Sequence, residues 1–159
     1  FFENATAEVL QLCGYTSDIS LRRCLQDSKM LSSDVSAAYD PLYADVFEKK
    51  NSAFFGKGLV FNKYTGSGGK GSSSDANAEY MAEIRKVMDD AGIMFQTAEL
   101  GKVDAGGGGT IAWIMANYGM EVIDSGLAIL CMHAPMEVSS KADIYEAVRG
   151  YKAFLQNMG

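Results

Sequence analysis

The sequence predicts an α/β fold in which a layered sheet of short strands is flanked by helices. Stretches with apolar residues at helical spacing alternate with short apolar runs that have the character of buried strands. Glycines and irregular segments separate these stretches, as expected at the ends of helices and strands. The length of 159 residues is that of one domain and suffices for a single hydrophobic core.

The composition excludes two classes of partner. Fourteen basic against twenty acidic residues give a net charge of −6, and without a basic tract the chain is a poor nucleic-acid binder. No apolar run approaches the ~20 residues of a membrane span. Three cysteines without metal-type spacing predict free thiols and a cytoplasmic location. The chain lacks an initiator methionine and begins inside an amphipathic run, so we expect it to be a piece of a longer protein.

The first part of the chain predicts two helices and two strands. Apolar residues recur at helical spacing over residues 1–13, and a glycine follows as a stop signal. A shorter helix is predicted over residues 19–27, and a strand with imperfect alternation over Met30–Val35. Residues 37–58 are irregular, and a short strand is predicted at Leu59–Phe61.

The middle of the chain predicts a loop, a helix and a strand. The loop is rich in glycine and serine and covers residues 65–75. Ser74 or Asp75 is predicted to cap the following helix, which runs to Ala91 with an apolar stripe on one face. A strand is predicted at Ile93–Thr97.

The last part predicts buried elements and a terminal helix. A nearly all-apolar helix is predicted over Thr110–Ala116, and buried strands over Val122–Ile123 and Leu127–Leu130. Ser140 is predicted to cap the final helix, residues 141–156. The residues expected to face inward from this helix are Ile144, Val148, Tyr151, Phe154 and Leu155.

Residues 66–71 match the G-x-G-x-x-G pattern of dinucleotide-binding loops. The match is poor, because the pattern needs its third glycine inside a helix, and here three serines precede the predicted helix. A Walker A loop is excluded, since Lys70 is followed by Gly71 rather than by serine or threonine. The plainer interpretation is a surface loop, and a nucleotide-binding domain is the least favoured hypothesis.

A second glycine cluster, Gly106–Gly109, opens the helix predicted at Thr110. Consecutive glycines let backbone N–H groups approach a ligand closely, and a helix N-terminus adds positive potential. The cluster could therefore hold a carboxylate, a phosphate or a developing oxyanion. A tight strand-to-helix connection explains the same residues equally well, so both interpretations stay open.

His133 is the only histidine and lies at the end of an apolar predicted strand. A neutral imidazole suits zinc and a strand end holds a ligand rigidly, although a hydrogen-bonded structural histidine is the commoner case. Asp34, also predicted at a strand end, could be an oxygen ligand or an ordinary loop aspartate. Glu137 could orient the histidine or face solvent. We expect Cys131 to pack in the core rather than to act as a nucleophile.

Three segments carry a family resemblance. Residues 101–112 contain Gly-Gly-Thr-Ile, and residues 122–145 contain Met-His-x-Pro-x-Glu. Residues 32–38 contain Ser-Ser-Asp and are followed by Gly56–Gly58. In this order and at this spacing the segments resemble the aspartyl aminopeptidase / aminopeptidase I family of dinuclear zinc exopeptidases, most closely its bacterial branch. The resemblance covers essentially the whole chain.

The resemblance implies that residues 1–159 are the C-terminal part of a zinc-exopeptidase catalytic domain. The family's last histidine ligand falls on His133 and the aspartate after its serine pair on Asp34, so each would bind one of two zinc ions. Lys63, or Asn62 in the other register, falls near a substrate-contacting position. The residues that would line the substrate side of the site are Gly107, Gly108, Gly109 and Thr110.

The resemblance also implies that the rest of the site lies upstream of Phe1. The missing groups are the first histidine ligand, the bridging aspartate and a pair of glutamates that supplies one ligand and the general base, together with a dimerisation domain. This chain would thus hold two of five ligands and be inactive alone. Cys131 and Ala134 stand where the family usually has serines, which affects the tuning of His133 rather than its identity.

The leading hypothesis is therefore a zinc aminopeptidase that removes acidic or neutral N-terminal residues from peptides as a homo-oligomer, with the upstream half as a required partner. The alternative is a truncated remnant that folds and assembles without chemistry. Missing upstream strands would expose sheet edge and core surface, which promotes aggregation or assembly. We therefore expect the isolated chain to be oligomeric or poorly soluble.

Overall fold

The computed structural model describes residues 1–67, 71–102 and 104–158. The helices are α1 (Phe2–Leu12), α2 (Asp18–Gln26), α3 (Ala78–Asp90), α4 (Ala112–Ala116) and α5 (Lys141–Asn157). The strands are β1 (Lys29–Ala37), β2 (Leu59–Ser67), β3 (Gly71–Asp75), β4 (Phe95–Glu99), β5 (Gly107–Gly108), β6 (Glu121–Leu130) and β7 (Val138–Ser139). Short 3-10 turns cover Pro41–Val46 and Lys49–Asn51. The described part of the chain has no helix that is long and apolar enough to cross a membrane.

The strands form one mixed sheet with the central order β1-β6-β2-β3. β1 and β6 are parallel and pair over nine residues, from Lys29 with Glu121 to Ala37 with Ile129. β2 is antiparallel to β6 and parallel to β4, and the end of β2 pairs with β3 and β5. The α/β prediction is confirmed, and the carboxyl ends of β1 and β6 lie side by side.

One face of the sheet is covered by α3 and α5. The apolar stripe of α3 is confirmed, because its buried residues pack on strand residues such as Phe61 and Ile123. The helix begins later than predicted, since Asn77 is its N-cap rather than Ser74 or Asp75. The Asn77 side chain accepts a hydrogen bond from the Tyr80 N–H at 2.7 Å.

The inward face of α5 differs from the predicted one. Ile144, Val148 and Leu155 are 42%, 65% and 78% exposed, although Tyr151 and Phe154 do pack against the core. The buried residues are instead Asp143, Ala147, Gly150 and Ala153. The physical reason is a close approach: a Cβ at Gly150 would lie 2.8 Å from Leu59 Cδ2. Small residues therefore face the sheet most closely, and Ile144, Val148 and Leu155 are left outside.

The described part of the glycine- and serine-rich segment forms two paired strands rather than a loop. β2 extends to Ser67 and β3 begins at Gly71, and these two residues pair in antiparallel register. Residues 68–70, part of the predicted loop, lie outside the described residues. The third glycine of the dinucleotide pattern therefore lies in a strand, and α3 starts only at Ala78. This geometry contradicts the nucleotide-binding hypothesis, which requires that glycine inside a helix.

Two predictions near the end of the chain also change. The strands predicted at Val122–Ile123 and Leu127–Leu130 form one strand, β6, because Gly126 is a site of close packing rather than a break. A Cβ at Gly126 would lie 1.4 Å from the Asp34 carbonyl oxygen. The helix predicted over Thr110–Ala116 is shorter and not buried: only Ala112 of α4 is buried.

Candidate metal and substrate site

The sheet face opposite α3 and α5 carries buried polar side chains, which we call the polar floor. Its members are Ser32, Ser36, Asn62, Thr65 and Asp124, each at most 4% exposed. They lie together because side chains alternate along a strand and β1 pairs Ser32 with Asp124. The Ser36 hydroxyl donates to Asn62 Oδ1 at 3.0 Å, and the Thr65 hydroxyl donates to Asp124 Oδ2 at 3.3 Å.

Asp124 is the acid of the polar floor, and the sequence analysis missed it. Burial raises the pKa of Asp124, the nearby Thr110 hydroxyl opposes that rise, and the Asp34 carboxylate adds to it. Asp124 Oδ1 has no hydrogen-bond partner of normal geometry among the described residues. An acidic residue inside the apolar run of residues 122–130 was the signal that could have identified it.

Asp34 lies on the same face, but not at the end of its strand as predicted. β1 continues for three residues to Ala37, and Asp34 pairs with Gly126 of β6. Its Oδ1 accepts a hydrogen bond from the Val35 N–H at 2.7 Å, which orients an exposed carboxylate.

His133 lies in a tight turn that follows β6, rather than at the strand end. The Ala134 N–H donates to the Cys131 carbonyl at 2.9 Å, and Cys131 and His133 have φ of 57° and 68°. This left-handed conformation is unfavourable for residues with a Cβ, so the turn needs support. Glu137 supplies it by accepting the His133 backbone N–H at 2.7 Å, so its observed role is to hold the backbone. The prediction that Cys131 packs in the core is wrong, because the residue is exposed.

A cavity of about 410 Å³ brings the predicted residues together. Asp34 lines it from β1 and His133 from the turn after β6. The predicted loop residues that line it are Gly107, Gly108, Gly109 and Thr110. Val46, Phe47 and Met132 form an apolar part of the wall.

The glycine cluster packs against backbone instead of starting a helix directly. β5 pairs Gly107 with Ser67 and Gly108 with Gly66. A Cβ at Gly106 would lie 2.2 Å from the Val46 carbonyl oxygen, and Gly107 has a φ of 90°. The close-connection interpretation therefore explains these two glycines. A Cβ at Gly108 would have only ordinary contact with a leucine side chain at 3.6 Å, so packing does not explain that glycine.

Lys63 and Asn62, the two residues predicted near a substrate-contacting position, have different surroundings on β2. Lys63 pairs with the Asp75 carboxylate and is not among the described residues that line the cavity. Asn62 belongs to the polar floor. Its side chain therefore lies on the sheet face that carries Asp34.

Two of the side chains that line the cavity are of kinds that zinc accepts as ligands. Asp34 supplies a carboxylate and His133 an imidazole, both of which zinc accepts, and both line one cavity. Within residues 1–67, 71–102 and 104–158, no group of three or more His, Cys, Asp or Glu side chains could hold a metal ion. A zinc centre takes three or four ligands, so this donor set fits part of a site.

Comparison with known proteins gives consistent matches over nearly the whole chain. A family model described as aminopeptidase I zinc metalloprotease (M18) matches residues 3–155. A probable M18 family aminopeptidase 1 of Clostridium acetobutylicum is 62% identical over 157 residues, which cover 99% of this chain and 34% of that protein.

Solved structures agree with the sequence match. The crystal structure of aminopeptidase I from Clostridium acetobutylicum has a TM-score of 0.85 at 60% identity, over 98% of this chain and 33% of that one. An M18 family aminopeptidase from Thermotoga maritima has a TM-score of 0.93 at 42% identity, over 99% of this chain and 35% of that one. The chain thus spans about a third of the length of the relatives it matches. With a matching family model over most of its length, the chain belongs to the M18 family of aminopeptidases.

Proposed function

We propose that this chain is the C-terminal part of the catalytic domain of a zinc-dependent aminopeptidase. The observation that supports the proposal is the cavity that gathers Asp34, His133 and the loop from Gly107 to Thr110. In this proposal Asp34 binds one zinc ion and His133 the other. The remaining ligands and the general-base glutamate come from the upstream part of the same protein.

When bound, a zinc pair polarises the scissile carbonyl, anchors the substrate's amine and lowers the pKa of a water molecule. Neighbouring residues of this chain orient the two proposed ligands, Asp34 and His133. The short hydrogen bond from the Val35 N–H directs the Asp34 carboxylate. Glu137 holds the backbone of the strained turn that carries His133.

The glycine loop serves the substrate in this proposal. Gly108 and Gly109 bring backbone to the cavity wall without a side chain, so a peptide can approach closely. Both residues proposed for the substrate-contacting position lie on β2. Asn62 is favoured in this proposal because its side chain lies on the polar floor, whereas the Lys63 ammonium pairs with Asp75.

Exposed apolar surface supports the proposed need for a covering partner. Every residue of α1 is at least partly exposed, and Phe2, Val9 and Leu12 are among the exposed ones. The outer side of α5 adds Val148 and Leu155. We propose that the upstream part of the protein and further copies of it cover these faces. The cytoplasmic location also stays a prediction, consistent with three free cysteines.

The test uses the intact natural polypeptide, with its mass measured first. We expect bound zinc and release of N-terminal residues from peptides, and both should fall in His133→Ala and Asp34→Asn variants. Asp89→Asn, on the exposed side of α3, is the matched control and should behave as the unaltered protein. A mass equal to these 159 residues, without zinc or activity, would instead support the alternative of a non-catalytic assembly module.

A further inference from the structure

Asp124 is a buried carboxylate without a cationic partner. Its side chain is 2% exposed, and none of the ion pairs among the described residues includes it. The described residues that line the cavity with Asp34 and His133 also include no lysine or arginine. A buried charge without a cation costs free energy, and an apolar residue on this strand would be more favourable for stability. A contribution to stability alone therefore does not account for this carboxylate.

Hydroxyl groups, rather than cations, lie around the Asp124 carboxylate. The Thr65 hydroxyl donates to Oδ2 at 3.3 Å, whereas Oδ1 has no hydrogen-bond partner of normal geometry among the described residues. Burial raises the pKa of Asp124, and the Thr110 hydroxyl gives the largest effect in the opposite direction, ahead of Ser32. Oδ1 is therefore the acceptor that remains for the Thr110 hydroxyl.

The packing of α4 brings Thr110 to this place. Ala112, the first residue of α4, is fully buried in an apolar cluster that includes Val122 of β6. Val122 and Asp124 lie on the same face of β6, because side chains alternate along a strand. Thr110 precedes Ala112 by two residues, and its Oγ1 accepts the Ala112 N–H at 3.3 Å. The Thr110 hydroxyl thus connects the start of α4 with the buried carboxylate.

Thr110 is also a wall residue of the candidate site. It lines the cavity together with the glycines that precede it. β5 ends at Gly108 and α4 begins at Ala112, so residues 109–111 belong to no strand or helix. Gly109 is exposed, and glycine restricts the backbone least of all residues. The position of this segment therefore depends on what holds Thr110.

Resting on the proposed aminopeptidase function, we propose that Asp124 is a positioning residue that holds the substrate-facing segment 109–111 in place through the Thr110 hydroxyl. Asp124 itself touches neither the substrate nor a metal ion in this proposal. The segment provides backbone for a peptide substrate, so its displacement weakens substrate binding. A contribution to stability alone would lower the folded fraction, which lowers the apparent kcat but leaves KM unchanged.

The experiment measures KM and kcat of the intact, zinc-loaded polypeptide on the tripeptides Ala-Ala-Ala and Asp-Ala-Ala. Thr110→Val removes the hydroxyl at nearly constant size and should raise KM roughly tenfold, with kcat changed by less than about threefold. Thr110→Ser keeps the hydroxyl and should restore most of the affinity. Thr97→Val, the same exchange at an exposed position of β4, is the matched control and should leave both constants unchanged.

A double-variant cycle tests Asp124 itself. Asp124→Asn keeps the size but offers only one acceptor oxygen to the two threonines, so KM should rise. Combined with Thr110→Val it should raise KM no further, because both changes remove the same interaction. Asp124→Ser is the second uncharged variant if Asp124→Asn does not fold. Hydrogen exchange at residues 109–112 gives a local readout, and it should accelerate in Thr110→Val and in the Asp124 variant but not in Thr110→Ser.

The outcomes separate the two proposals. An unchanged KM in Thr110→Val or in the Asp124 variant would overturn the positioning role while leaving the aminopeptidase function standing. Increases in KM that multiply in the double variant would overturn it as well. Absence of zinc and of activity on both tripeptides in the unaltered protein would instead refute the proposed function, on which the positioning role depends.

Discussion

Replacing Asp143 tests the junction between α5 and β2. The side chain is 1% exposed, and its two oxygens accept the Gly58 N–H at 2.8 Å and the Gly56 N–H at 2.9 Å. Asp143 is the third residue of α5, and its own N–H donates to the hydroxyl of the N-cap residue Ser140 at 3.4 Å. One carboxylate thus accepts hydrogen bonds from two backbone N–H groups of the turn before β2, and its negative charge complements the positive end of the helix dipole.

The expected cost follows from these bonds. Hydrogen bonds to a charged group contribute about 1.5–3 kcal/mol each, and Asp143→Ala leaves two backbone donors without a partner. Because the bond to Gly56 is only partly buried, we expect a total loss of about 3–4 kcal/mol in the free energy of unfolding. Asp143→Asn keeps one acceptor oxygen and should lose about half as much.

The assay is urea unfolding followed by circular dichroism on the intact polypeptide. Hydrogen exchange at the Gly56 and Gly58 amides reports the same junction locally and should accelerate in both variants. Asp89→Ala, an exposed position on α3, should change stability by less than about 0.5 kcal/mol. A loss below about 1 kcal/mol for Asp143→Ala would refute the reasoning that this carboxylate holds the junction.

Three further predictions test the sheet, the core and the turn. Gly126→Ala should strongly destabilise the protein, because its Cβ would lie 1.4 Å from a β1 carbonyl oxygen, whereas Gly108→Ala meets its nearest atom at 3.6 Å and should be tolerated. Equal thermal midpoints for the two would contradict this. Burial raises the pKa of Tyr80, so the stability that this residue contributes is complete below its ordinary pKa of about 10 and is lost as pH rises through the folded pKa. Tyr80→Phe should therefore lower the free energy of unfolding by about 1 kcal/mol at pH 7 and reduce the loss of stability at alkaline pH. Parallel curves of stability against pH for the variant and the unaltered protein would contradict this prediction. On the proposed zinc site, Glu137→Ala should weaken zinc retention roughly tenfold by releasing the His133 backbone, and unchanged zinc content after dialysis would contradict that role.

Helical periodicity predicted one long helix well and another poorly. For α3, large apolar residues lie on one stripe and that stripe faces the sheet. For α5, three of the five predicted inward residues are exposed, because the helix presents its small residues to the sheet where Gly150 lies against Leu59. Periodicity gives a preferred face only when the largest apolar residues are the ones buried. It contains no information on how closely a helix approaches its neighbour.

The candidate site was predictable in part. Asp34 and His133 were predicted from short motifs and line one cavity, yet the local structure predicted for each of them was wrong. Apolar runs do not reveal that β1 continues past Val35 to Ala37, or that the chain turns at Cys131 before it reaches His133. Asp124 was missed because the predicted strands stopped on either side of it, although an acid in an apolar run was visible.

The meeting of Asp34 and His133 depends on the register between β1 and β6. Asp34 pairs with Gly126, where no Cβ fits, and β6 then continues to Leu130 before the turn that carries His133. A slip of one residue would turn the Asp34 side chain to the opposite face and bring a side chain into the space that Gly126 leaves open. The close approach at Gly126 therefore selects the register, and the register places the carboxylate and the histidine on one cavity. Two residues far apart in the sequence thus line one cavity because a third one has no side chain.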